Sequence, residues 1–77
     1  PVPTTALRLR GSAADALVTI DDRYVGKLGE VGRRGVALPR GEHRISVEKV
    51  GCFPWDRLVN VGEAPVELEV ELTPVPE

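Results

Sequence analysis

Apolar and polar residues alternate with a period of two in several separate stretches of this chain. Leu7 and Leu9 alternate with Arg8 and Arg10. Ala16, Val18 and Ile20 alternate with Leu17 and Thr19, and His43, Ile45 and Val47 with Arg44, Ser46 and Glu48. Val66, Leu68, Val70 and Leu72 alternate with Glu67, Glu69 and Glu71. A period of two puts successive side chains on opposite faces of an extended strand, so each stretch predicts a strand with one apolar face. The last is the clearest, with a greasy face and a carboxylate face. No stretch keeps a convincing helical period.

Turn signals fall between these runs. Asp21-Asp22 separates Val18–Ile20 from Tyr24-Val25 and predicts a tight hairpin. Gly26, Gly29, Gly32 and Gly35 punctuate a segment read as a mobile loop, Pro39-Arg40-Gly41 predicts a turn, and Gly51 ends a strand. Gly62-Glu63-Ala64-Pro65 leads into the final strand. About seven short strands with turns every eight to twelve residues predict an all-β fold, a small antiparallel β-sandwich. The expected core is Leu7, Leu9, Ala16, Val18, Ile20, Val25, Leu38, Ile45, Val47, Val59, Val61, Val66, Leu68, Val70 and Leu72. Proline-rich ends predict linker stubs over 1–4 and 75–77 around a domain at 5–74. A start at Pro1 rather than methionine predicts a segment of a longer protein.

Composition narrows the function more than the fold. With 77 residues, 42% of them hydrophobic and 29% charged, the chain suits one globular domain with one small core. The net charge of −2 gives nucleic acid no electrostatic hold. No apolar run is long enough to span a bilayer. Residues 1–44 carry eight Lys/Arg against five Asp/Glu, a balance of +3. Residues 45–77 carry two against seven, a balance of −5. Basic and acidic strands facing each other across one sheet would explain that split. Cys52 is the single cysteine and His43 the single histidine, too few for a disulfide or a zinc site.

The chemistry-bearing residues do not assemble a reaction on paper. His43 falls at an inward strand position and reads as a hydrogen-bonded structural histidine, and Cys52 as an inert, partly buried small hydrophobe. Alternate glutamates on one strand lie roughly 7 Å apart, too far to share a calcium ion, so Glu67, Glu69 and Glu71 read as a solvated face paired with Arg8 and Arg10. The Gly26–Gly35 segment lacks the Gly-Lys-Ser/Thr ending of a phosphate loop. No catalytic residue, cofactor or metal ligand is therefore expected. The candidate contacts for a partner are Arg33 and Arg34 in the glycine-rich segment, and Phe53, Trp55 and Arg57 with Tyr24 as a helper.

Two segments resemble the signatures of the PEGA domain family. Ala16-Leu17-Val18-Thr19-Ile20-Asp21-Asp22-Arg23-Tyr24-Val25-Gly26 resembles its opening hairpin, and Leu38-Pro39-Arg40-Gly41-Glu42-His43-Arg44-Ile45-Ser46-Val47 resembles its Leu-Pro-x-Gly-x-His turn and strand. Gly51, the aromatic segment Phe53–Trp55 and the ending Leu72-Thr73-Pro74 extend the similarity over about residues 7–74. The tetrapeptide that names the family is here Ala13-Ala14-Asp15-Ala16, which marks a divergent member. The resemblance implies a non-catalytic β-sandwich, immunoglobulin-like or carboxypeptidase-regulatory-like, appended to a larger bacterial envelope or membrane-signalling protein. It implies an extracytoplasmic place, in the periplasm or at the cell surface, although one cysteine fits either side of a membrane. The implied partners are other proteins or other domains of the parent chain. A carbohydrate- or peptidoglycan-binding module that uses Trp55 and its neighbours is the alternative.

Overall fold

The computed structural model describes residues 3–76. The seven strands found there are β1 (Thr4–Arg10), β2 (Leu17–Ile20), β3 (Arg23–Lys27), β4 (Val36–Pro39), β5 (Gly41–Glu48), β6 (Trp55–Val61) and β7 (Val66–Glu69), with one helix, α1 (Leu28–Arg34), between β3 and β4. They form two sheets, ordered β4-β1-β7 and β3-β2-β5-β6, as expected for a small β-sandwich. The core lies between them. Leu7, Leu9 and Leu38 face it from one sheet, and Val18, Ile20, Ile45, Val47, Val59 and Val61 from the other, all buried. Ala16 and Val70, just outside the strands, are buried with them.

Strand alternation accounts for most of this. In β1 the pattern strictly alternates between exposed and buried positions, with Thr5, Leu7 and Leu9 turned inward. Buried Thr5 keeps its hydroxyl satisfied by donating to the Gly62 carbonyl. The hairpin expected at Asp21-Asp22 forms, and both aspartates take positive φ, 50° and 66°. Those angles suit the tight turn whose twist matches its strands.

Three expectations are corrected. The sandwich is not wholly antiparallel, because β7 runs parallel to β1, with Leu7 opposite Val66 and Leu9 opposite Leu68. The crossover after Val61 delivers the chain to the start of β1, where Thr5 holds Gly62, and from there β7 can only run in the direction of β1. Val25, Val66, Leu68 and Leu72 pack against the core but stay partly exposed, the first three because β3 and β7 are sheet edges and Leu72 because it lies beyond the end of β7. The segment read as a mobile loop is a strand end followed by a helix. Buried Leu28 and Val31 add to the core from α1.

Helix α1 is a product of its surroundings. Its first N–H groups have no side-chain cap; those of Leu28 and Gly29 instead donate to the carbonyls of Ala16 (2.8 Å) and Ala14 (2.9 Å). Gly32 lies against β1 so closely that a Cβ there would stand 2.7 Å from the Leu9 carbonyl oxygen. The helix ends at Gly35, whose N–H donates to Val31 and whose φ of 72° favours glycine.

The ends of the chain are held close to the body. β1 begins at Thr4, one residue inside the expected stub. At the other end Phe53 N–H donates to Thr73 (2.9 Å) and Val75 N–H to Gly51 (2.8 Å), so the tail is pinned through Val75. Pro1, Val2 and Glu77 of the expected stubs lie outside the described residues.

Alanine at position 32 separates helix propensity from packing. Propensity alone would favour Gly32→Ala by about 1 kcal/mol. The contact with Leu9 reverses the sign, and we expect urea unfolding to report a loss of roughly 1–3 kcal/mol.

Candidate functional site

The sheet order disperses the expected partner contacts. Tyr24 is exposed on β3, at one edge of the four-stranded sheet, whereas Trp55 and Arg57 stand on β6 at the opposite edge. Tyr24 is therefore not a helper of Trp55. Arg33 and Arg34 belong to α1, and Arg34 is occupied by the domain itself, donating through Nη2 to the Val25 carbonyl at 2.8 Å. Trp55 is partly buried against the core, and the Arg57 guanidinium sits 5.1 Å from its ring centroid. A cation over an aromatic face is a stabilising contact. Phe53 is half exposed in the connection before β6.

Sequence reading overlooked what lies beside Phe53. Leu17, Val50, Cys52 and Pro54 line an open recess of about 580 Å3 at one end of the sandwich, with Asp15, Glu48 and Lys49 at its polar margin. Lys49 bridges to Asp15 at 3.1 Å across this margin and, by hydrogen bonding, holds the Asp15 carboxyl below its usual range. Val50 is fully exposed and Leu17 is 45% exposed, although both are aliphatic. The available signals were Leu17 at an outward strand position and Val50 before the turn glycine. Neither stands out until β2 and the β5–β6 connection are brought together.

The second organised cluster centres on His43. Its Nδ1 meets Asp21 Oδ2 at 2.5 Å and its Nε2 meets the Pro39 carbonyl at 2.7 Å. Both ring nitrogens thus face acceptors, an arrangement that only the doubly protonated ring satisfies. The Asp21 hydrogen bond, then the Pro39 carbonyl, raises the His43 pKa above its ordinary 6.5. The same bond, with the Arg44 N–H donating to Oδ1 at 3.0 Å, lowers that of Asp21. The ring clamps the β2–β3 turn to the β4–β5 corner. The hydrogen bonding expected of His43 from the sequence is present.

On the outer face of the four-stranded sheet, Ser46 donates to Asp56 at 2.5 Å and Arg44 Nε at 3.3 Å. These contacts, the Ser46 hydroxyl first, lower the Asp56 pKa. In the other sheet the glutamate face is paired as expected in part. Arg10 bridges to Glu67 at 2.8 Å, and Arg8 and Arg10 stand opposite Glu67 and Glu69 in the register. Such solvated pairs are worth about 0–1 kcal/mol. Among the described residues no three His, Cys, Asp or Glu side chains are grouped to hold a metal ion, and no helix is long and apolar enough to cross a membrane.

No protein-family model matches this chain, and comparison with curated proteins and with solved structures finds no match either.

The clamp gives a definite pH dependence. A folded-state pKa raised at His43 contributes stability below about pH 6.5 that disappears as pH rises through the raised value. A lowered pKa at Asp21 contributes stability above 3.8 that is lost as pH falls through the lowered value. The clamp is therefore strongest in the mildly acidic range between them. Thermal unfolding should show the melting temperature falling from about pH 6 to about pH 9, with the slope flattened in His43→Asn.

Proposed function

We propose that this domain is a non-catalytic, PEGA-like accessory module of a larger bacterial envelope or membrane-signalling protein. It makes protein–protein contact, or sets the spacing between parts of its parent, outside the cytoplasm. The observation that carries the reading is the apolar end of the sandwich. Val50 and Leu17 remain exposed there and line a recess with Cys52 and Pro54, although the small core would gain from burying them. An apolar patch with a charged margin on a rigid body is the usual form of a contact surface. The His43 clamp supports the same reading, because the one histidine is used to fix turns rather than to move protons.

The glycan-binding alternative gains nothing from the structure. Sugar recognition by an aromatic ring needs an open face, and Trp55 is partly buried with the Arg57 guanidinium over its ring.

Amide hydrogen exchange compared between the isolated domain and its parent protein tests the proposal. Residues 49–54 should exchange more slowly in the parent, as should Leu17 and its neighbours. Equal exchange in the two settings would refute the apolar end as a contact. Titration with soluble cell-wall glycan should leave Trp55 fluorescence unchanged, and a saturable shift would favour the alternative.

A further inference from the structure

β1 and β7, the first and last strands among the described residues, are neighbours and run parallel. Leu7, Arg8, Leu9 and Arg10 stand opposite Val66, Glu67, Leu68 and Glu69, and beyond them the Val70 N–H donates to the Arg10 carbonyl at 2.6 Å. The backbone therefore enters at the start of β1 and leaves this ladder at the far end of β7. From Thr4 to the level of Arg10 is roughly 20 Å along the strands, while the step across to β7 is only about 5 Å. A pull applied at the two ends of the domain thus acts almost along the strand axis. It drives β1 backwards and β7 forwards, and loads every bond between them at once.

These strands cannot yield by creeping. A one-residue slip would turn Val66, Leu68 and Val70 outward and bring Glu67 and Glu69 to the core face. The smallest slip that keeps the faces is two residues, roughly 7 Å, and it breaks the whole ladder. β1 is also the middle strand of its sheet, with β4 paired to Thr4–Leu7 on its other side. Thr5 holds Gly62 at its start, and α1 lies against Leu9. Load from the N-terminal side so enters a strand gripped on three sides. On the C-terminal side the tail bonds, Thr73 with Phe53 and Val75 with Gly51, take the load first and then pass it to β7.

We propose that β1 and β7 are a shear clamp, which makes this domain a tension-bearing unit that carries a pull along a longer chain without opening. Its use in tension rests on the spacing role proposed above; the resistance itself belongs to the isolated domain. The antiparallel β5–β6 pair offers the contrast within the same molecule. Gly41 and Val61 face each other at its open end, next to the exposed Arg40–Glu63 pair. A pull between positions 40 and 63 acts across those strands and meets their pairs one after another, from Gly41 with Val61 towards Val47 with Trp55.

Single-molecule force spectroscopy on the 77-residue chain tests the clamp. In Arg40→Cys/Glu63→Cys/Cys52→Ser, one protein can be held either by peptide tags at its ends or by thiol handles at 40 and 63. The unfolding force under end loading should exceed that between 40 and 63 by about twofold or more, since several bonds break together rather than singly. Equal forces, or a weaker end-loaded domain, would overturn the proposal. The unsubstituted chain gives a second readout through the dependence of force on loading rate. Shear should show a distance to the barrier of about 2–4 Å, the travel that breaks a ladder bond. A distance beyond the two-residue slip of roughly 7 Å would overturn it as well. Neither result depends on how residues 49–54 exchange in the parent, so the clamp and the contact surface stand or fall separately.

Discussion

The close seating of α1 on β1 is the contact on which the rest of this domain depends. A sandwich of a three-stranded and a four-stranded sheet has too little area to enclose a core by its faces alone. The gap on the β3 side is closed by α1, which packs against β1, β2 and β3. Burying Leu28 and Val31 there is worth roughly 1.5–3 kcal/mol each. The glycines that let the helix come so near cost about 1 kcal/mol each in helix propensity, so burial wins. Without the approach at Gly32 the helix would stand off, and its two aliphatic side chains would fall short of the core. On the opposite side the gap is closed by the tail, through the pairing of Thr73 and Val75 with Phe53 and Gly51.

Polar contacts do a different job. Exposed pairs such as Arg10 with Glu67 add little stability in solvent. Their value lies in choosing among arrangements that the apolar core would tolerate equally. Thr5 ties the crossover at Gly62 to the start of β1 and so decides the direction of β7. His43 binds two corners through Asp21 and Pro39, and Asp56 joins β6 to β5 across the outer face. Turns and registers are thus fixed by hydrogen bonds, while cohesion comes from the core.

The surface that results is uneven in a way that bears on the reading proposed above. Chemistry-bearing side chains are separated by the sheet order or used up in structural contacts. The unspent feature is the apolar recess at one end, lined by Leu17, Val50, Cys52 and Pro54.

Strands β1, β2, β5 and the start of β7 were readable from the chain alone, because a two-residue period makes the same demand wherever the strand is placed. Leu7, Leu9, Val18, Ile20, Ile45 and Val47 were legible as core on that ground, and all are buried. The Asp21-Asp22 hairpin was legible from turn chemistry, and the structural use of His43 from its strand position. Helix α1 was not, because two aliphatic residues and two glycines in seven positions carry no period, and only the backbone of β1 passing alongside makes glycine the residue that fits at position 32. The recess was hidden for a related reason. Leu17 and Val50 each look unremarkable alone and become a surface when the β5–β6 connection folds beside β2. Tyr24 and Trp55, plausible neighbours on paper, end on opposite edges, because strand order is set by how the sheets close.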